Sequence, residues 1–180
     1  MMKRLLMGAA GLAALGGCMA NDGVEPMDDM PRMATATADI RDSAGRSVAT
    51  ATASQSGDSI RLSIEGTGLP QGAHGAHVHM TGSCVAPAFT SAGDHWNPTG
   101  REHGKDNPAG MHMGDLPNIV VGTNGVGTLE YTIPGAWVAG GPMPLLDADG
   151  AAIVIHAGAD DYRSNPSGNS GARIACGVFR

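Results

Sequence analysis

The sequence has no long hydrophobic run and no excess of basic residues, and each absence excludes a class of protein. No apolar stretch reaches the roughly 20 residues of a membrane-spanning helix, so we expect membrane contact only through an attached lipid. Lysine and arginine number 11 against 17 acidic residues, and the formal net charge is −6. Because nucleic-acid binding depends on a basic surface, we expect no nucleic-acid partner. No segment has a convincing helical period, which argues against a helical domain.

The N-terminal segment has the pattern of an export signal. Lys3 and Arg4 precede a short apolar run that ends in small residues. Residues 15–18, LGGC, resemble the lipobox of bacterial lipoproteins, in which cleavage occurs before the cysteine and that cysteine then carries lipid. We therefore expect lipidation of Cys18. An ordinary signal peptide with a coincidental cysteine is the alternative.

This pattern divides the chain into three parts. Residues 1–17 are the expected lipoprotein signal peptide. Residues 18–33 are polar, acidic and proline-containing, which is typical of a flexible tether. Residues 34–180 are enough for one folded domain. The expected location is the periplasm, with a lipid anchor in a bacterial envelope membrane.

Cysteine is scarce, with three residues in the chain. Lipidation of Cys18 would leave Cys84 and Cys176 as an even pair in an oxidising compartment, which predicts one disulfide between them. Two buried free thiols are the alternative.

Short segments of period-two alternation recur along residues 34–180, and turn residues separate them. Each such segment is typical of a β-strand. The chain has 28 glycines and 11 prolines, which favour turns between such segments. The pattern predicts an all-β antiparallel sandwich or barrel with eight short strands and two long loops. The predicted strands are 34–40, 47–53, 59–65, 74–80, 118–122, 127–133, 151–156 and 173–179.

Histidine is concentrated in one strand and the long loop that follows it. His77 and His79 lie two residues apart, so on a strand both side chains leave the same face and can converge on one ion. Imidazole suits copper or zinc. Taken alone, the pair is weak evidence for metal, and a polar surface pair is the more common alternative.

The loop carries a second set of candidate ligands. His95, His103 and His112 are followed by Asp115, and three imidazoles with one carboxylate suit a closed, structural zinc site. A solvated loop that is rich in histidine is the alternative. His156 ends an apolar strand and opens the second long loop, where a lone histidine is more often structural.

Several motifs together resemble the copper,zinc superoxide dismutase family. They occur in the family's order and span essentially the whole domain, from about residue 34 to 179. The matching stretches are GAHGAHVH at 72–79, GDHWNP at 93–98, HG at 103–104, HMGDLPN at 112–118, HAGADD at 156–161 and GARIACGV at 171–178.

The resemblance implies an eight-stranded Greek-key barrel or sandwich whose two long loops form the metal site, with one copper and one zinc per subunit. Arg173 matches the arginine beside the copper, and Asp160 matches a carboxylate that links a copper ligand to a zinc ligand. His74 is expected to support the site by hydrogen bonding rather than to bind metal. Cys84 and Cys176 match the family disulfide. The implied copper ligands are His77, His79, His95 and His156, and the implied zinc ligands are His95, His103, His112 and Asp115.

The implied activity is disproportionation of superoxide to oxygen and hydrogen peroxide, in a monomer or homodimer that protects the cell envelope. His95 and Arg173 are the implied catalytic residues: His95 carries a proton and Arg173 attracts the anion. The second long loop contains Arg163 but no lysine, so the substrate-steering charges of animal members do not transfer simply.

Two other functions remain open. One is a copper- or zinc-binding lipoprotein of the same fold without turnover, in which Met80, Met111 and Met113 offer thioethers to Cu(I). Loop or packing roles are the more common alternative for these methionines. The other is a dismutase that holds copper alone. Arg173 and the complete zinc set favour the two-metal enzyme.

Overall fold

Residues 34–180 are described by the computed structural model, and the predicted signal peptide (1–17), the tether (18–33) and Cys18 lie outside the described residues. The described chain forms eleven strands and a single 3₁₀ turn, Thr90–Ala92. None of its helices is both long and apolar enough to cross a bilayer. The strands are β1 (Thr35–Asp42), β2 (Ser47–Ser56), β3 (Ser59–Gly66), β4 (Gly72–His74), β5 (Ala76–His79), β6 (Ile119–Val121), β7 (Gly127–Pro134), β8 (Trp137–Ala139), β9 (Pro144–Leu146), β10 (Ala152–His156) and β11 (Arg173–Val178).

Nine of these strands form one antiparallel sheet that curls into a nearly closed barrel. Their order is β4-β6-β7-β3-β2-β1-β11-β10-β5, and β8 and β9 form a separate parallel pair. The end strands β4 and β5 are separated in sequence only by Gly75, so the chain itself joins the two ends of the sheet. Pairing of β3 with β7 and of β1 with β11 brings together strands that are distant in sequence, as in a Greek key. The predicted all-β antiparallel fold is confirmed.

The strand count differs from the eight that the sequence pattern predicts. The predicted strand 74–80 is divided at Gly75, because β4 pairs with β6 whereas β5 pairs with β10. Strands β8 and β9 lie in a segment rich in glycine and proline, where turn residues conceal a strand pattern.

Alternation along the strands fills the barrel with aliphatic side chains. On β1, Ala36 and Ile40 are fully buried while the residues beside them are exposed, and β3 buries Ile60, Leu62 and Ile64 in the same way. Full burial of one such Leu or Ile contributes about 1.5–3 kcal/mol. The barrel interior therefore stabilises the fold without using any polar group of the candidate site.

Strand β10 is buried on both of its faces. Ile153 and Ile155 pack in the barrel core, whereas Ala152 and Val154 belong to a smaller cluster outside the barrel. The near-continuous apolar run of this strand follows from burial on two sides.

A disulfide closes this outer cluster. Cys84 and Cys176 are bonded, with their Cα atoms 5.7 Å apart, and Phe89 and Ala92 pack beside them. The bond ties the loop after β5 to β11, and the disulfide prediction is confirmed.

Candidate metal centre

Strands β5 and β10 present three histidines on the outer face of the barrel. Ala76 and Val78 of β5 pack in the barrel core, so alternation sends His77 and His79 to the opposite face. His156 ends β10. All three imidazoles are nonetheless buried, which requires a cover over this face.

The long loop between β5 and β6 supplies the cover. It runs back along β5, and isolated bridges pair His77 with Asp115 and His79 with His95. Residues that are distant along the loop are thereby brought against neighbouring positions of one strand.

This close approach depends on Gly114. The Val78 amide donates a hydrogen bond to the Gly114 carbonyl oxygen at 2.9 Å. A Cβ at position 114 would clash with the Val78 carbonyl oxygen, so a larger residue would push the loop away from the strand.

The first cluster, which we call the four-histidine group, consists of His77, His79, His95 and His156. One ring nitrogen from each lies within 4.8 Å of the others. His77 Nδ1, His79 Nε2 and His156 Nε2 are buried and have no hydrogen-bond partner among the described residues. Because burying a polar atom without a partner costs free energy, this convergence fits a cation in the partner's place.

The opposite ring nitrogens of two of these histidines are held by backbone carbonyls. His79 Nδ1 lies 2.9 Å from the Gly93 oxygen, and His156 Nδ1 lies 3.0 Å from the Gly171 oxygen. A carbonyl can only accept, so each Nδ1 carries the proton and each Nε2 keeps a free lone pair.

The second cluster, which we call the mixed group, consists of His95, His103, His112 and Asp115. Asp115 Oδ1 lies 2.8, 3.0 and 3.1 Å from the Nδ1 atoms of His95, His103 and His112, and the His103 contact lacks hydrogen-bond geometry. His95 Nδ1 and His112 Nδ1 are 3.3 Å apart. A tetrahedral zinc site with bonds of about 2.0–2.1 Å has ligand atoms about 3.3–3.4 Å apart. The distances from Asp115 Oδ1 are slightly shorter than this, so small outward shifts of the side chains would accommodate zinc.

The other oxygen of Asp115 fixes the carboxylate. Oδ2 accepts hydrogen bonds from the backbone amides of Gly104 at 2.9 Å and His112 at 3.0 Å. Oδ1 is thereby directed at the three imidazoles.

His95 belongs to both groups. Its Nδ1 faces Asp115 and His112, and its ring centroid lies 4.1 Å from that of His77 and 4.9 Å from that of His79. With Nδ1 used in the mixed group, Nε2 is the nitrogen left for the four-histidine group. One imidazole can therefore contact two ions.

Asp160 joins the two groups from outside. Its Oδ2 accepts from His77 Nε2 at 2.7 Å and its Oδ1 accepts from His103 Nε2 at 3.0 Å. The three residues also form a possible metal cluster by proximity. Their short hydrogen bonds show instead that Asp160 holds both Nε2–H groups, which leaves Nδ1 of each imidazole to its own ion.

The sequence reasoning missed three residues that hold Asp160. Asn118 and Asp160 exchange two hydrogen bonds of 2.8 and 3.0 Å, and the Tyr162 amide donates to Asp160 Oδ1 at 2.6 Å. A Cβ on Gly168 would clash with Asp160 Oδ1 and would lie 2.8 Å from His103 Nε2. Asn118 lies 42 residues from Asp160, and nothing in that spacing indicates a contact. Tyr162 is a near neighbour of Asp160 in the chain, but no sequence pattern indicates that its amide is directed at the carboxylate.

Burial keeps most of the candidate ligands neutral. It lowers the pKa of His77 to about 3, that of His79 to about 2 and that of His156 to about 4, and it also lowers the pKa of His95. A neutral imidazole is the form that binds metal. The four-histidine group is thus ready to accept an ion without losing protons.

The mixed group differs because it contains carboxylates. Burial alone would lower the pKa of His103, but its contacts with Asp115 and Asp160 outweigh burial and raise that pKa to about 9. Burial would likewise raise the pKa of both carboxyl groups, but their histidine partners hold each pKa well below its usual range. In the absence of metal, a proton on His103 balances part of this negative charge.

Arg173 lies beside the four-histidine group in an open cleft of about 570 Å³. Its Nη1 donates to the Phe89 carbonyl oxygen at 2.9 Å and its Nη2 donates to the Gly93 oxygen at 2.8 Å. Next to burial, the charge of Arg173 also lowers the pKa of His79 and His156, because it opposes a second positive charge nearby. The guanidinium thus offers a fixed positive charge at the only group of four histidines in residues 34–180.

His74 lies outside every candidate ligand group in residues 34–180. Its Nδ1 is 2.8 Å from the His156 carbonyl oxygen and its Nε2 is 2.9 Å from the Pro70 oxygen. The side chain thus contacts the backbone at the point where β10 ends.

Comparison with known proteins identifies the same family that the motifs resemble. Residues 46–179 match the family described as copper/zinc superoxide dismutase. The chain is 40% identical over 149 residues to the copper–zinc superoxide dismutase of Caulobacter vibrioides, a match that covers 81% of this chain and 86% of that protein. It is 46% identical over 124 residues to a superoxide dismutase-like protein of Bacillus subtilis, which covers 68% of this chain and 63% of the Bacillus protein.

Solved structures agree with this assignment. A superoxide dismutase-like protein from Bacillus subtilis matches with a TM-score of 0.74 and 39% identity, over 79% of this chain and 96% of that one. Most of the barrel and both long loops fall within the range matched by the family. This chain belongs to the copper/zinc superoxide dismutase family.

Proposed function

We propose that this protein catalyses the disproportionation of superoxide to oxygen and hydrogen peroxide. The observation that carries the proposal is the sharing of His95 between two metal-ligand groups, with the Arg173 guanidinium in the cleft beside the four-histidine group. A site that only stores metal requires neither feature.

The donor sets support a different metal for each group. The four-histidine group would hold copper, because imidazole suits copper and the cleft leaves this group open to a substrate. The mixed group would hold zinc in a closed tetrahedral set. When bound, copper supplies one-electron oxidation and reduction, and zinc supplies a redox-inert positive charge.

Arg173 binds the substrate anion in this mechanism. Its hydrogen bonds to the carbonyl oxygens of Phe89 and Gly93 hold the guanidinium in place, and the remaining N–H groups are available to superoxide. A local positive charge is needed, because the chain as a whole is acidic and repels the anion.

His95 carries a proton between the two halves of the reaction. Asp115 and the mixed group fix its Nδ1, so Nε2 is the atom that takes up a proton when the first superoxide gives up its electron. Nε2 then donates that proton to the second superoxide, which gains an electron and a further proton from solvent. Two superoxide ions and two protons thereby yield one oxygen and one hydrogen peroxide.

The test combines metal analysis with direct kinetics. Purified protein loaded with both metals is expected to bind one copper and one zinc and to remove superoxide generated by pulse radiolysis. Arg173→Ala should keep both metals and lose most of the activity, because the anion loses its binding partner. Fully loaded wild-type protein that leaves superoxide decay at its spontaneous rate would refute the proposal.

A second candidate function is copper and zinc binding without turnover. The superoxide dismutase-like designation of the Bacillus subtilis relative favours it. The same kinetic experiment separates the two functions, because a storage protein would bind both metals at the same sites and leave superoxide decay unchanged.

We also propose that the protein acts in the periplasm, anchored by lipid on Cys18. The support is the segment 15–18, which resembles a lipobox, together with the disulfide, which suits an oxidising compartment. Cys18→Ser should abolish incorporation of labelled fatty acid in cells. Labelling that persists in this variant would exclude Cys18 as the lipid site.

A further inference from the structure

Met80 is an exposed thioether at the mouth of the cleft. Its side chain is 45% exposed although it is large and apolar. Single exposed apolar residues are common on protein surfaces, so exposure alone assigns no role. Its position is more informative, because Met80 follows His79 directly and lines the cleft together with His156 and Arg173.

The side chain of Met80 is placed against the loop that holds the site. Its Sδ would lie 3.8 Å from a Cβ built on Gly93, and its backbone amide donates to the Asp94 oxygen at 3.0 Å. The Gly93 carbonyl oxygen is the acceptor for both His79 and Arg173. The thioether therefore packs on the residue that positions a copper-ligand candidate.

The cleft mouth is acidic. Among the described residues that line it, the charged side chains are Asp94, Asp147 and Arg173, so carboxylates outnumber the single guanidinium. An excess of negative charge raises the local concentration of cations. His156 also lines this cleft, and its Nε2, like that of His79 next to Met80 in the chain, is buried and has no hydrogen-bond partner among the described residues.

The other methionines of residues 34–180 do not share this position. Met111 and Met113 line a separate depression beside His112, and Met143 lies close to Gly135. Met80 is thus the methionine of the described chain that combines exposure with access to the four-histidine group.

We propose that Met80 is a transient Cu(I) ligand, which captures the ion at the acidic cleft mouth and passes it to His79 and His156. A thioether is a soft ligand that selects Cu(I), whereas it adds little for Cu(II). The role rests on the copper site of the proposed function but does not require that the loaded protein consume superoxide.

The test measures copper uptake rather than activity. Zinc-loaded, copper-free protein is mixed with Cu(I) held by a chromogenic chelator, and the loss of the chelate colour gives the transfer rate. Met80→Leu keeps the apolar volume and removes the sulfur, so Cu(I) transfer should slow several-fold while the final copper content stays unchanged. Met143→Leu is the matched control and should transfer Cu(I) at the wild-type rate.

Uptake of Cu(II) supplies the second arm. Met80→Leu and wild-type protein should take up Cu(II) at equal rates, because a thioether does not favour that ion. Equal rates of Cu(I) uptake in wild type and Met80→Leu would overturn the role of Met80. So would a variant in which the uptake of Cu(I) and that of Cu(II) slow by the same factor. Wild-type protein that takes up neither copper ion would instead refute the copper site itself.

Discussion

At the scale of single residues, His103 differs from His77, His79, His95 and His156 because its carboxylate partners raise its pKa, whereas burial lowers theirs. Two carboxylates raise its pKa to about 9, against an ordinary value of 6.5. A raised pKa in the folded state stabilises the metal-free fold fully below pH 6.5, and this contribution is lost as the pH rises through about 9. Bound zinc would supply the positive charge beside Asp115 in place of the proton on His103 Nδ1.

Zinc binding should therefore release a proton at neutral pH. His103 must lose a proton before it can bind zinc, whereas His95, whose pKa burial lowers, is already neutral. We therefore expect the release of about one proton per zinc. Titration calorimetry in buffers with different ionisation enthalpies measures this number. The release should shrink above the pKa of His103, and a proton count near zero at neutral pH would contradict the assigned protonation.

At the scale of elements, the two long loops depend on each other. Asp160 lies at the start of the loop between β10 and β11, yet its carboxylate binds His77 of β5 and His103 of the first loop. Gly168 passes directly over this carboxylate with a φ of +61°. Packing between the loops, rather than either loop alone, holds the four-histidine group and the mixed group in position.

Gly168→Ala should weaken the binding of both metals. The added methyl would displace Asp160 and thereby free the Nε2 atoms of His77 and His103, and loss of such a support typically costs about ten- to a hundredfold in metal affinity. Competition with chelators measures the affinities.

Gly45→Ala provides the control for this substitution. Gly45 has a similar positive φ of +79°, but an added Cβ there meets nothing within 4 Å. It should therefore cost about 1–2 kcal/mol in backbone strain without affecting metal affinity. Equal metal affinities in Gly168→Ala and wild type would contradict the supporting role of Asp160.

At the scale of the whole molecule, charge opposes the approach of superoxide, the proposed substrate. The net charge is −6, the second long loop has no lysine, and Asp94 and Asp147 line the cleft with Arg173. Superoxide would thus meet a repulsive long-range field before it reached the local attraction of Arg173.

The rate of superoxide removal should consequently rise with ionic strength. Added salt screens charges beyond about 10 Å at 0.1 M and so weakens the repulsion more than the contact with Arg173. Asp147→Asn should raise the rate at low salt and flatten the salt dependence, as followed by pulse radiolysis. Asp58→Asn makes the same change in net charge away from the cleft and should have a smaller effect. A rate of superoxide removal that falls with added salt would contradict long-range repulsion.

Much of the fold was predictable from sequence because strands repeat a local pattern. Alternation located the segments that became β1, β2 and β3, and the apolar run before His156 located β10. It failed at Gly75, which separates β4 from β5, because a change of pairing partner does not alter the alternation of apolar and polar residues. It also missed β8 and β9, which lie among glycines and prolines.

The sequence by itself determined the chemistry of the site: the imidazoles and the carboxylate, their order along the chain, and the motifs that resemble the family. Only the tertiary structure decided which nitrogen of each ring is free, that His95 faces both groups and that Asn118, Tyr162 and Gly168 hold Asp160. The reason is physical. Ligand type is a property of each residue, whereas ring orientation depends on hydrogen bonds to loop segments that are far apart in sequence and follow no period.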